Sequence, residues 1–548
     1  MPSLVLGPLL RYVGEDHAVI WVETDGPCEV EVLGARERTF HVEGHHYALV
    51  HPTELESGAW HEYEVRLDGE LVWPSPGSNY PPSQFRTYPK DGPLLIAFGS
   101  CRVSAPHEPP WTLGRDEDRR GRKHDALRTM ALRMTDEPRE RWPDVLLLLG
   151  DQVYADEPSP ATEALVESRR DPRWPEGLLV VDFEEYTALY REAWSEPALR
   201  WLLSTVSTAM IFDDHDVHDD WNISAAWRAE MRSHLWWQEH IAAALMSYWI
   251  YQHLGNLSPR QHEPEDVLRE VQEAEDGGPV LRDFARRADR GPDSYRWSYC
   301  RDLGDTRLVV IDSRAGRVLD EGRRSMLDEA EWEWLTEQAR GGFDHLLLAS
   351  SLPFLLAPGM SEAEAWSEAV CGGAWGRTAA RAGEWLRRTF DLEAWPAFRE
   401  SFDRLAELQR SVGAGERGPA PASVVTLGGD VHHAYLCELA FPRGAGVESA
   451  VWHAVCSPVR NPLDRRERRL VNAADSRVFS AAARLLARAA GVPAPPIRCR
   501  LTDGGPWFDN VISTLEVDGR RLDLRIEKAV PTSPTEARLE TVLDRRLA

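Results

Sequence analysis

Four short stretches of the chain gather residue types that bind metal ions. Ser100-Cys101-Arg102 offers a thiol, and Gly150-Asp151-Gln152-Val153-Tyr154 offers a carboxylate and a phenol three positions apart. The run from Asp213 to Asn222 holds carboxylates and two imidazoles, and Gly428-Gly429-Asp430-Val431-His432-His433 adds one more pairing of carboxylate and imidazole. Carboxylates brought together repel one another and are costly to desolvate, so a shared site for them requires cations. Thiol, phenol, carboxylate and imidazole together suit a transition metal, and a carboxylate-rich set suits a harder cation. Two such ions side by side can clamp phosphoryl oxygens and supply a metal-bound hydroxide for in-line attack, which is the chemistry of phosphoric-ester hydrolysis. His215, next to Asp214, is the candidate to protonate the leaving oxygen. Arg102, and Arg314 in Asp312-Ser313-Arg314, are candidates to hold a phosphate oxygen in a bidentate clamp. Each residue also has a plainer reading. Cys101 could be a core thiol, Asp151 a helix cap, Tyr154 a packing ring, His432 a satisfied core histidine, and both arginines structural ion pairs. Four clusters of this kind in one chain favour a shared metal site.

Something must bring these stretches together. Six short apolar runs stop at polar residues: Leu94–Phe98, Val145–Leu149, Ala209–Phe212, Leu308–Ile311, Leu346–Ala349 and Val424–Leu427. Continuous apolar runs of four or five residues fit strands buried on both faces. In such sheets ligands bind beyond the carboxyl ends of the strands, so the four clusters are expected along one rim of one sheet. Glycine ahead of Asp151 and of Asp430 lets the backbone leave the strand sharply. Helices are expected between the runs: Phe183–Ser195, a long tryptophan-rich helix over Ala225–Leu254, Glu329–Arg340, and a solvated helical stretch over 264–290. The first 88 residues differ. Short β-type runs (Ala18–Thr24, Glu29–Leu33, Thr39–Val42, Glu62–Leu67, Glu70–Trp73) alternate with turn signals, which predicts a small β-sandwich of immunoglobulin or fibronectin type with Trp21 and Tyr63 in its core. The organisation expected is therefore a sandwich over 1–88, a catalytic domain over 92–530 with helical insertions near 155–205, 223–290 and 360–412, and a tail over 531–548.

Bulk properties exclude several roles. Lys and Arg total 63 against 89 Asp and Glu, a net charge of −26. Such a field repels a polyanion, and no basic stripe for a nucleic-acid polymer is evident, whereas a small phosphoester could bind at metal cations. No apolar run of about 18 residues predicts a membrane span. No secretory signal is visible at Met1-Pro2-Ser3-Leu4, so a cytoplasmic location is the expectation. Seven widely spread cysteines form no close pair, which argues against a disulfide framework and for a reducing compartment. Oligomeric state is not legible.

The chain resembles the alkaline phosphatase D (PhoD)-like metallophosphatases of the calcineurin-like superfamily. The resemblance rests on Phe98-Gly99-Ser100-Cys101, Gly150-Asp151-Gln152-Val153-Tyr154-Ala155-Asp156, Asp213-Asp214-His215-Asp216 and Gly429-Asp430-Val431-His432, which follow the family's order. It implies an α/β fold, a four-layer α/β/β/α sandwich behind an N-terminal β-sandwich. It also implies Cys101 and Tyr154 as ligands of Fe(3+), Asp151 as the bridge, and Asp214 at a second site that takes Ca(2+). Asp430 and His432 would close the centre, His432 on the iron side and Asp430 on the other. Two departures bear on the second metal: Asp216 stands where the family often has Glu, and the superfamily's isolated second-site histidine has no evident counterpart. The activity implied is hydrolysis of phosphodiesters, phosphomonoesters or both. Alternatives are a phospholipase- or nucleotide-pyrophosphatase-type hydrolase on the same scaffold, and a degenerate metal-binding protein.

Overall fold

In the computed structural model all residues are described except 89–91, 264 and 503. The expected boundary between the two domains falls on 89–91, and the 264–290 stretch opens on residue 264, so both points lie outside the described residues.

The six apolar runs are strands, but they divide between two sheets. One has the order Ser207–Ile211, Val145–Leu149, Leu94–Gly99, Val511–Asp518, Arg521–Pro531, Ala537–Arg546. Its first three strands are parallel, and the last three continue antiparallel. The other sheet runs Tyr299–Leu303, Thr306–Ile311, His345–Ser350, Ser423–Gly428, Ala450–Val455, Tyr435–Ala440, Arg498–Leu501, with a parallel centre. The expectation of one sheet rim is thus corrected to the facing rims of two sheets.

Alternation along the second sheet shows how the layers stack. Leu308, Val310, Leu347, Ala349, Val425 and Leu427 face the core shared with the first sheet. Val309, Ile311, Leu346, Leu348 and Val424 face an outer core with Trp332, Leu335, Phe402 and Leu405 of the helices Glu329–Gln338 and Arg399–Gly413. Successive side chains of a strand point to opposite faces, and here both faces are covered. The architecture is a four-layer α/β/β/α sandwich.

The N-terminal region is a β-sandwich with four-stranded sheets on each side. Trp21 and Tyr63 are buried, but both reach the catalytic domain rather than lying only in the sandwich core: the Trp21 ring is 5.3 Å from that of Tyr251. It is fastened beside the strand Ser207–Ile211. Arg11, fully buried, donates to the Tyr251 carbonyl and, at 2.6 Å, to the Gln252 carbonyl. Thr208 donates to the Leu10 carbonyl at 3.2 Å, and Tyr63 to the Ser204 carbonyl at 2.5 Å.

Other expectations are revised. The tryptophan-rich helix is divided into Ala225–Met231, Trp237–Tyr248, a wider turn over Trp249–His253 and a tighter one over Leu254–Asn256. The 264–290 stretch forms helices Asp266–Glu273 and Gly278–Arg290, each with a buried apolar face, so it is docked rather than solvated. The supposed tail contains the strand Ala537–Arg546, the edge of the first sheet. Cys437 and Cys499 form a disulfide between neighbouring strands, with Cα atoms 5.7 Å apart, and the other five cysteines are free. One bridge is not a framework, yet the cysteine reading had no place for it. No helix of the described residues is long and apolar enough to cross a membrane.

Candidate metal centre

Three of the four clusters leave their strands through residues with positive φ, whereas Asp213 continues extended from its strand with φ −129°. The positive-φ residues are Cys101 (φ 57), Asp151 (φ 49), Asp430 (φ 66) and His432 (φ 53). Non-glycine residues adopt this region at a cost, and such strain concentrates at functional sites. Two glycines make room for the approach. A Cβ on Gly150 would lie 2.5 Å from Asp213 Cβ, and one on Gly429 would lie 2.5 Å from Ser100 Oγ and 2.7 Å from the Leu149 carbonyl.

The side chains converge in two adjoining groups. Cys101, Asp151 and His432 place potential ligand atoms within 4.8 Å of one another, and so do Asp213, Asp214 and Asp430. Asp151 also stands within that range of Asp214 and His215, so it lies between the groups. Tyr154 joins the first group through its hydroxyl, which donates to Asp151 Oδ2 at 3.2 Å and accepts from Asn461 Nδ2 at 3.2 Å. Ser457 donates to Cys101 Sγ at 3.3 Å. Asp151 Oδ1 and Asp213 Oδ2 are buried and have no hydrogen-bond partner, and Asp214 Oδ1 has only the Arg314 guanidinium, 3.2 Å away, as an ion-pair partner. A buried carboxylate oxygen left alone costs free energy, so these orphaned oxygens call for cations.

The electrostatics agree. Burial first, then the charges of Asp151 and Asp430, raises the Cys101 thiol well above its ordinary range. Burial likewise lifts Asp151 and Asp430, and the neighbouring Asp213 and Asp214 charges add to it. Burial pushes Asp213 up to about 6, despite Arg314. For Asp214 burial is outweighed by Arg314 and His215, and the carboxyl is held below its usual range. His432, half-buried and near His215, is depressed to about 3, which favours the neutral imidazole. Neutral imidazole, thiol and phenol on one side and carboxylates on the other fit a transition metal and a harder cation.

His215 sits at the border of the groups, its ring 4.7 Å from that of Tyr154. Its Nδ1 lies 2.9 and 3.0 Å from the two oxygens of Asp156. Although burial opposes it, the charges of Asp156, Asp214 and Asp151 raise His215 well above its ordinary value, which favours imidazolium. Nε2 is 3.9 Å from Asp219, at the mouth of the site.

Neither arginine is free to clamp a phosphate. Arg102 Nε donates to Asp125 at 2.9 Å and Nη1 to the Ala193 carbonyl at 3.0 Å, so it is tied into the scaffold. Arg314, fully buried, donates to Asp213 and, at 2.5 Å, to Glu393, and its Nη2 lies 3.2 Å from Asp214 and 3.7 Å from Asp430. It serves as an internal cation behind the carboxylate group. Asp216 turns away from the centre: its carboxylate accepts from the backbone N–H groups of Gln152, Val153 and Asp213 and so holds the Asp151 turn. Among the described residues no further histidine joins Asp213, Asp214 and Asp430, which accounts for the missing second-site imidazole. Sequence reasoning passed over Asp213, Asp156, Asp219, Asn461 and Glu393. The first three lay inside quoted motifs, whereas Asn461 and Glu393 carried no local signal.

The model of the PhoD-like phosphatase family matches residues 129–489. The chain belongs to that family. The model of a domain of unknown function, DUF7800, matches residues 1–85, the β-sandwich. A solved structure of PhoD is similar in fold at 14% identity, with a TM-score of 0.57 and coverage of 100% of this chain and 92% of that one. A purple acid phosphatase, PPD1 from yellow lupin (Lupinus luteus) seeds, aligns at 10% identity and a TM-score of 0.46 over 98% of this chain and 73% of that one. No curated protein matches the chain. Membership of the PhoD-like family supports metal-dependent hydrolysis of phosphoesters, in keeping with the donor groups.

Proposed function

We propose that the chain hydrolyses phosphoric esters, diesters included, at a two-metal centre. In this reading Cys101, Asp151, Tyr154 and His432 would hold Fe(3+), and Asp151, Asp213, Asp214 and Asp430 would hold the second ion, Ca(2+). The observation that carries it is the convergence of the unpartnered carboxylate oxygens of Asp151 and Asp213 with Asp214 and Asp430, beside the buried Cys101 thiol and His432. When bound, the ions supply Lewis-acid charge to the phosphoryl oxygens and a nucleophile at neutral pH. His215, held by Asp156, delivers a proton to the leaving oxygen. Asp219, at the mouth, helps keep His215 charged. Arg314 offsets the charge of Asp213 and Asp214 from behind, so those carboxylates stay ordered before a cation arrives.

The test is hydrolysis of bis(p-nitrophenyl) phosphate and p-nitrophenyl phosphate by protein as purified, stripped with chelator, and reloaded. Turnover lost on stripping and regained on reloading supports the reading. An Asp151→Asn variant that keeps full turnover and full metal content would overturn it.

A further inference from the structure

Large apolar side chains that remain exposed are concentrated in two stretches of this chain, 375–390 and 470–486. Helix Arg477–Ala489 is arranged inside out. It buries only Ala483 and Ala487, against the helix Pro358–Cys371, while Val478 and Leu485 are 81% and 67% exposed. The contact depends on small residues: a Cβ on Gly359 would lie 2.6 Å from the Phe479 ring. A surface helix ordinarily turns its large apolar residues inward. Val478, Ala482, Leu485 and Ala489 instead recur at helical spacing on an outer face.

The stretch is also basic, and Arg477, Arg484 and Arg488 flank the apolar face of the helix. Residues 465–488 hold seven arginines against Glu467 and Asp475, a local charge of +5 in a chain of −26. Arg466, Arg469, Arg477 and Arg488 are exposed and have no carboxylate partner among the described residues. Arg484 and Arg488 overhang a cavity of about 500 Å³ floored by Leu355, Leu356 and Phe402. Helix Arg377–Thr389 adds Trp385, 64% exposed, and is tied to the first helix where Trp375 Nε1 donates to the Ala489 carbonyl at 3.2 Å.

Both segments adjoin the metal centre along the chain. Helix Arg377–Thr389 leads into Glu393, the partner of Arg314, and Arg465 follows four residues after Asn461, the partner of Tyr154.

We propose that the outward faces of helices Arg377–Thr389, Arg465–Ala474 and Arg477–Ala489 dock this protein on an anionic bilayer, leucine and tryptophan entering the interface and arginines pairing with lipid phosphates. Apolar side chains fringed by arginine are the chemistry of helices that lie in a membrane interface. Each arginine near an anionic surface strengthens binding by roughly fivefold, and the effect fades with salt.

The experiment is co-sedimentation of the full chain with phosphatidylcholine vesicles, either pure or one-third phosphatidylglycerol. Wild-type protein is expected to bind the anionic vesicles roughly tenfold more tightly, and to lose that gain in high salt. A Leu485→Ser, Leu486→Ser variant should bind roughly tenfold more weakly while turning over soluble bis(p-nitrophenyl) phosphate at the wild-type rate. Arg466→Glu, Arg469→Glu tests the charge without touching packing. Equal or absent binding to the two vesicle types overturns the proposal. So does light scattering that finds a dimer dissolved by the Leu485→Ser change, since the face would then be an interface between copies. Hydrolysis of the soluble ester reports on the metal-centre reading separately.

Discussion

Replacing Asp156 by Asn separates proton delivery from metal holding. The Asp156 carboxylate is nearly buried and lies 2.9 and 3.0 Å from His215 Nδ1. It also accepts the Asp219 backbone N–H at 2.6 Å, a contact that the Asn carbonyl oxygen can keep. The variant therefore loses chiefly the charge-assisted bond to His215, worth about 2 kcal/mol, or roughly thirtyfold in rate. That loss should appear only where the leaving group needs a proton. The expected result is a kcat for an alkyl phosphoester lowered roughly thirtyfold, with little change for a p-nitrophenyl ester, and metal content unchanged. Because Asp156 holds His215 above its ordinary value, its removal lowers that value, so the alkaline limb of the pH–rate profile should move to lower pH. Equal losses on both esters, or none on either, would refute the assignment of His215 as the proton donor.

Three further outcomes follow from the same geometry. Arg314→Met leaves Asp213, Asp214 and Glu393 without their buried cation, so the metal-free protein should lose about 3–5 kcal/mol in a urea titration, and added divalent cation should restore part of it. Gly429→Ala forces a Cβ against Ser100 Oγ and the Leu149 carbonyl, and metal content should fall to near zero by elemental analysis. His45 bridges Glu23 and Glu184, whose carboxylates raise it above 6.5 against the pull of burial. A raised folded value stabilises below the unfolded value and fades as pH rises through the folded one. The thermal midpoint of His45→Ala should therefore trail wild type most below about pH 6.5 and approach it in alkaline buffer.

Much of the centre could be read from sequence because its strands are buried on both faces. Val145–Leu149 is continuously apolar and ends abruptly at Gly150-Asp151, so both the strand and the direction of its polar end were visible. The division into two sheets was not, because a strand covered by helices and one covered by a second sheet have the same apolar run. The strand Ala537–Arg546 was missed because, as an edge strand, it leaves one face to solvent and reads as a charged tail. Proximity in sequence also misled. Arg102 adjoins Cys101 but spends its long side chain on Asp125, and Arg314 follows a strand end but reaches behind the carboxylates rather than over them. Glu393 and Asn461 meet Arg314 and Tyr154 through tertiary structure alone.

In the proposed centre Asp151, Asp213 and Asp214, with Cys101, Tyr154 and His432, would hold two ions. Elemental mass spectrometry of the purified protein, read alongside its visible absorption, addresses this claim most directly. The expected result is about one iron and one divalent ion, calcium, per chain, with a visible band from thiolate or tyrosinate on ferric iron that disappears in Cys101→Ser or Tyr154→Phe. Protein that binds no iron even after reconstitution would contradict it.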